Sequence, residues 1–464
     1  MKDSVNDSMK QNAITQGVIW KQLLLFFFPI LFGSLFQQLY SMVDAVVVGQ
    51  FAGKEALAAI DSTWSLGRLF VNLFVGMSTG ATILISQHYG AGRHAEVSST
   101  VHTAVAFSFV GGAVLTAMGV GLSPAGVAVM RVPADLAPAA TAYLRVYCAG
   151  MIPSMVYNMG AGILRAVGDS RRPLVFLIVS SIVNIALDLL FVAVFRWGAV
   201  GAGVATVIAQ AVSMALVLAS LVRARDVSYG LRPREVRMDR AVLKGILQKG
   251  LPIGLQSAMY PISNSIIHAR INAFGTDTIA AWAICGKLDF PIWVILDALG
   301  IAASTFAAQN YGAMLYDRVK QSVRVCIRLA LCVIVPLSAA LYLWGEPLSW
   351  IFVRDARVVA LSGELIRFYA PFFFAYIWGE VLGGAIRGTG ETFRPMMITM
   401  GFTCAFRIIW ILWMMPADAT VRMIIAAYPV TWIATSLAFI LYYARYSRRL
   451  NGGQAVPMAE TARG

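Results

Sequence analysis

From Leu23 to Gly49 the chain runs 27 residues with a single acidic or basic side chain, Asp44. Crossing the hydrocarbon core of a bilayer takes about 20 mainly apolar residues in a helix, and backbone in lipid must satisfy its own hydrogen bonds. The run therefore reads as a transmembrane helix, and the rest of the chain repeats the plan. Apolar stretches between charge clusters lie near 23–49, 57–84, 98–121, 138–162, 173–195 and 200–222. Six more lie near 248–273, 278–305, 321–344, 361–385, 395–415 and 423–444. Only 13% of the 464 residues are charged and 59% are hydrophobic, against about 25% and 45–50% in soluble domains. The expected fold is an all-α polytopic membrane protein of 12 transmembrane helices with short loops and no sizeable soluble domain.

Charge sets the expected topology. With the N-terminus inside, the inner loops carry Arg93, Arg165, Arg171, Arg172, the cluster from Arg223 to Lys249, Arg318, Lys320, Arg387, Arg394 and Arg445. The outer loops hold fewer: Lys54, Arg131, Arg196, Arg354, Arg357 and Arg422. An excess of Lys and Arg marks the cytoplasmic side, so both termini are expected there. The same loops account for the net charge of +14 through topology and lipid contact, so nucleic acid is not implied. Cys148, Cys285, Cys326, Cys332 and Cys404 lie in apolar stretches without zinc-like spacing and are expected to be buried thiols. No HExxH pattern and no nucleophile with a base occurs in the spans, so an enzyme and a bound cofactor are not expected.

Internal repetition gives the architecture. Arg165-Ala-Val-Gly-Asp-Ser-Arg-Arg-Pro173 returns 222 residues later as Arg387-Gly-Thr-Gly-Glu-Thr-Phe-Arg-Pro395. At the same offset Gln87-His-Tyr-Gly-Ala91 returns as Gln309-Asn-Tyr-Gly-Ala313, and Gly53 with Ala58-Ala59 as Gly275 with Ala280-Ala281. Two pseudo-symmetric six-helix lobes follow, entering the membrane from the same side. The expected division is an N-terminal lobe 1–222, a basic cytoplasmic linker 223–247 read as a hinge, a C-terminal lobe 248–447 and a flexible cytoplasmic tail 448–464. The Gly168-Asp169 and Gly390-Glu391 loops follow apolar helices and precede Pro173 and Pro395, so they read as structural turns.

Ionisable side chains inside spans are expensive and persist where they face a cavity or a partner. Asp44 is one, with Pro29 fifteen residues earlier as a helix kink. Asn184 and Asp188 are four apart and share a helical face, and Thr206 follows at similar depth in the sixth span. A satisfied polar pair holding helices together is the plain alternative. Against it, no Lys or Arg lies at comparable depth in the first lobe, so two buried acids need a cation. A shared proton would serve, and so would Na⁺ on oxygens of Asp44, Asn184, Asp188 and Thr206. At the repeat offset the last three become Phe406, Trp410 and Tyr428, which assigns coupling to the N-terminal lobe. Lys287, Asp289 and Arg407 either pair with one another or line the second lobe's cavity.

Two six-helix lobes, the Asp before Gly49 and Leu57-Ala-Ala59, Asn-x-x-x-Asp in the fifth span and the paired Arg-x-x-Gly-[Asp/Glu]-[Ser/Thr] loops together resemble the multidrug and toxic compound extrusion (MATE) family, over about residues 20–447. The resemblance implies a proton or Na⁺ site at Asp44, Asn184, Asp188 and Thr206, with Asn158 beside it. It implies export of amphipathic, often cationic compounds by alternating access, in a bacterial cytoplasmic membrane, by a monomer. One branch carries an extra acid in the seventh span; here that region reads Gln256-Ser-Ala-Met-Tyr260, against a second cation site in the C-terminal lobe. The alternative function is a lipid-linked precursor flippase of the same broad superfamily, which needs a basic cavity; the first lobe offers mainly Arg68. A channel would need pore-lining rings or a filter.

Overall fold

The structure, a computed structural model, describes residues 13–414 and 420–451. Twelve helical stretches follow one another, one for each apolar run. α1 is Ile19–Val47 and ends in a π-helical turn, Val48–Ala52. α2 is Gly53–Gly90 and α3 is His94–Val129. α4 has two segments, Ala137–Ala149 and Met151–Ala166, meeting at Gly150. α5, Arg171–Asp188, passes into a π turn, Leu189–Val194, and α6 is Gly198–Arg223. α7 is Arg240–Asn272, α8 joins Thr276–Leu288 to Phe290–Gly312, and α9 is Tyr316–Ser349. α10 joins Ala356–Tyr369 to Phe373–Gly388. α11 alternates Phe393–Ile398, a π turn Thr399–Ala405, Phe406–Ile409 and a π turn Trp410–Met414. α12 joins Val421–Ile425 to Ala427–Asn451. Among the described residues, 10 helical segments are long and apolar enough to cross a membrane. α4 and α7 fall outside that set. The first is interrupted at Gly150, and the second carries Pro252, Gln256, Pro261 and Asn264 with several serines in its charge-free stretch, which lowers its hydropathy.

The repeat is written into the backbone. Gly53 and Gly275 have φ of 85° and 95°, Gly168 and Gly390 have 93° and 97°, and Gly92 matches Met314 at 68° and 59°. Each pair is 222 residues apart. The π turns of α5 and α11 after Asp188 and Ile409 keep nearly the same offset. At Gly168 the reason is a helix stop: the Asp169 amide reaches back to the Leu164 carbonyl at 2.9 Å, which requires a left-handed residue between them. The Asp169 carboxylate then accepts from the amides of Arg171 and Arg172, both at 3.1 Å, and starts α5. Glu391 does the same for the Arg394 amide at 3.3 Å. Their work is structural.

Apolar side chains cover the outside as well as the core. Phe28, Phe32 and Phe36 of α1 are 45%, 47% and 40% exposed, which suits lipid as the solvent. Hydroxyls meanwhile tie helices together inside: Ser78 donates to the Asn158 carbonyl and Ser86 to the Ala166 carbonyl, both at 3.1 Å, joining α2 to α4. Four cysteines are buried as expected, but Cys332 is exposed. It shares the outer side of α9 with exposed Val333 and Val335, where a thiol among apolar side chains needs no protein cover.

The chain forms two compact units. One takes Leu25–Gly254; the other takes the described residues up to Leu24 and those from Leu255 on. The first twelve residues assigned to the N-terminal lobe, and the tail from 452 on, lie outside the described residues; α12 itself continues through Asn451. The start of the chain belongs with the second unit because the Arg318 guanidinium of α9 donates to the Ile14 and Gly17 carbonyls. The first half of α7 belongs with the first because glycines let it touch α2: a Cβ on Gly250 would stand 2.6 Å from Met77 Cα. Of the linker 223–247 read as a hinge, residues 224–239 are pinned to that same unit. The Arg232 amide donates to His102 Nε2 at 3.1 Å, the Asp239 amide to Thr103 Oγ1 at 3.2 Å, and Leu231 is buried.

Candidate functional site

Two apolar helices each deliver an acid just ahead of a π turn. Asp44 lies one turn before Val48–Ala52, and Asp188 is the last residue of α5 before Leu189–Val194. Those turns pack on each other and on the start of α6. Val47, Val48, Val192, Ala199, Ala202 and Tyr143 form the apolar cluster there. The cluster lies among the same helix ends that carry the two acids.

The structure brings Asp44 and Asp188 together: their carboxyl groups are within hydrogen-bonding reach of each other. Asp188 is 0% exposed and Asn184, one turn earlier, 2%. Asp44 Oδ1, both Asp188 oxygens and both polar atoms of the Asn184 amide are buried with no hydrogen-bond partner of ordinary donor–acceptor kind. Among the described residues neither acid has a Lys or Arg in ion-pairing distance. Buried polar groups without partners are rare and costly, and two full negative charges about 4 Å apart repel by on the order of 4 kcal/mol even at an effective dielectric of about 20. Facing acids can coexist only with a cation or a proton between them.

Thr206 and Asn158 each bond within their own helix. The Thr206 hydroxyl donates to the Ala202 carbonyl of its own helix at 3.0 Å, which leaves its lone pairs to accept or ligate. The Asn158 amide donates to the Ser154 carbonyl at 2.8 Å. Among the described residues no three His, Cys, Asp or Glu side chains come together as metal ligands. The oxygens of two carboxylates and an amide suit a hard monovalent cation; they do not suit a soft transition metal. Pro29 lies inside α1 without ending it. Its missing N–H leaves the Leu25 carbonyl without a helical donor, at the residue where the two units divide.

Tyr143 was not singled out from the sequence. Its ring is buried in the apolar cluster, and Asp44, Asp188, Tyr40 and Tyr147 all act on its phenol electrostatically. A tyrosine in an apolar run gives no signal, because the ring is at home there.

In the second lobe Lys287, Asp289 and Arg407 do not pair with one another. The Lys287 ammonium lies 5.4 Å from the centre of the Phe352 ring. The Asp289 carboxylate accepts from the Tyr369 hydroxyl at 3.1 Å. Arg407 donates to Asn264 and Thr431. Arg387 instead pairs with Glu380 at 3.4 Å. The Arg68 side chain lies outside the described residues.

Comparison with known proteins agrees with this architecture. The sequence profile of the MatE family matches residues 29–190 and again 252–413, once per half. The probable multidrug resistance protein YoeA of Bacillus subtilis (strain 168) is 27% identical, over 82% of this chain and 84% of that protein. The probable multidrug resistance protein YpnP of the same organism is 25% identical, over 84% and 87%. A solved outward-facing multidrug resistance MATE transporter of the MOP superfamily superposes with a TM-score of 0.87 at 21% identity, covering 96% of this chain and 99% of its own.

Proposed function

Because this chain belongs to the MatE family, we propose that it is a cation-coupled antiporter that exports amphipathic, often cationic organic compounds by alternating access. Its setting is the bacterial cytoplasmic membrane, with both termini inside, and its unit is the single chain. The observation that carries the reading is the facing pair Asp44 and Asp188, with Asn184 one turn away and no protein donor for their buried atoms. Similarity to proteins named for multidrug resistance supports the choice of cargo.

The ion is cargo too. When the acids face the outside, a proton shared between the carboxyls, or Na⁺ held by them with the Asn184 and Thr206 oxygens, removes their repulsion. α1 can answer by adjusting at Pro29, where a backbone hydrogen bond is already missing. The ion-loaded arrangement holds organic cargo less tightly, so cargo leaves outward as the ion enters; release of the ion inward restores the affinity. Such reciprocity is required of any two ligands coupled through one equilibrium. A flippase for lipid-linked precursors would need several cations for a pyrophosphate. Among the described residues Arg387 is neutralised by Glu380, and Lys287 and Arg407 each stand beside a different ring.

The test is ethidium efflux from cells or everted vesicles under an imposed proton gradient and, separately, an imposed Na⁺ gradient. Efflux should follow one of the two. Asp188→Asn should abolish it while inserting at normal levels; undiminished efflux by that variant would sink the site assignment.

A further inference from the structure

Arg407 sits in the short segment Phe406–Ile409 of α11, between two π turns, and is 3% exposed. Its Nη1 donates to Asn264 Oδ1 of α7 at 2.9 Å and its Nη2 to Thr431 Oγ1 of α12 at 3.0 Å, both neutral acceptors. The guanidinium lies 4.5 Å from the centre of the Tyr428 ring. Nε is buried without an acceptor. The ion pairs of this half, Arg367 with Glu346, Arg387 with Glu380 and Arg422 with Glu364 among them, leave Arg407 out. A buried arginine without a counter-charge is costly in a membrane and marks function by default. Its counterpart at the repeat offset is Ile185, so the lobe did not inherit it as scaffold.

What adjoins the guanidinium is aromatic. Tyr428 lies 5.5 Å from Trp282 and 6.0 Å from Trp432, centre to centre, and Trp282 lies 5.7 Å from Tyr369. Tyr428 and Trp282 keep part of their surface accessible while packed this way, so a planar molecule can reach their faces. At the far end of the wall Asp289, held by Tyr369, also acts on Tyr428 electrostatically. A carboxylate there disfavours a polyanion and leaves room for one negative group.

We infer that the C-terminal lobe holds a binding subsite for planar aromatic molecules bearing a single anionic group, with the anion on the Arg407 guanidinium and the ring on the Trp282–Tyr428 wall. Guanidinium supplies charge-assisted hydrogen bonds to an oxyanion, and the rings supply stacking surface. This widens the cargo beyond cations. It rests on the export reading only in calling the bound molecule cargo.

The test is titration of the purified full chain, in nanodiscs of phosphatidylcholine alone, with 2-naphthoate and with its uncharged analogue 2-naphthalenemethanol. The expected preference for the anion is about tenfold or more, as one charge-assisted hydrogen bond provides. Arg407→Gln should bring the ratio close to one, and Arg407→Lys should keep part of it. A merely structural arginine would weaken both ligands together and leave the ratio unchanged, which overturns the inference, as does a wild-type ratio near one. Inorganic phosphate should fail to displace 2-naphthoate at equal concentration; if it competes as well, the aromatic class is overturned. If Arg407→Gln does not fold, the wild-type ratio and Arg407→Lys still decide. Loss of gradient-driven ethidium efflux would sink the export reading and leave this titration to stand on its own.

Discussion

At the scale of single residues, the proposed N-terminal ion site predicts a trade of stability for coupling. Asn184 is 2% exposed and neither polar atom of its amide has a partner. An unsatisfied buried polar group costs about 1–3 kcal/mol, so Asn184→Ala should raise the stability of the ion-free protein by about 1 kcal/mol in thermal melts in detergent. The same variant should lose most coupled efflux, the usual direction of such trades. An unchanged or lower melting point would mean that Asn184 is satisfied as it stands. Asp44, Asn184 and Asp188 were legible in the sequence because polar groups are conspicuous in apolar runs. Tyr143 was not, nor was the isolation of Arg407, since its acceptors Asn264 and Thr431 lie on other helices and tertiary distance leaves no local pattern.

At the scale of elements, the helices and their stops were legible because hydropathy and glycine act locally. The π turns were not: Leu189–Val194 and Trp410–Met414 have sequences that an ordinary α-helix accepts. Nor was the pinning of residues 224–239, which depends on His102 and Thr103 of α3. Among the stops that the repeat pairs, one departs from glycine. Met314 has φ 59° where its repeat partner is Gly92, and the Leu315 amide still closes on the Asn310 carbonyl at 2.8 Å. Its side chain is 72% exposed, so little packing would be lost with it. A left-handed L-residue costs about 1–2 kcal/mol, partly offset by the freedom glycine adds to the unfolded chain. Met314→Gly should therefore stabilise by about 0.5 kcal/mol, read as a higher melting temperature with efflux unchanged; a lower one would mean the Met side chain packs in the membrane.

At the scale of the whole molecule, the two-lobe plan was legible from the repeat, and the lobe boundaries shift by a few turns. α1 changes unit between Leu24 and Leu25 and α7 between Gly254 and Leu255. Each change lies within a few residues of a proline, Pro29 in one helix and Pro252 in the other, where a helical hydrogen bond is missing. Replacing both by Ala restores those bonds. The double variant Pro29→Ala, Pro252→Ala should bind ethidium as before and turn over at least about fivefold more slowly, because gating motions limit many such cycles; an unchanged initial efflux rate would remove the prolines from the mechanism. The recurrent π turn has a consequence of another kind. Lengthening a helix by one residue without breaking it is an accident that a duplicated gene copies wholesale, and both halves of this chain still carry it near the same place. Beside it one half set carboxylates, the other a guanidinium. A duplication that produced the repeat would have handed down a place for charge and left its sign open.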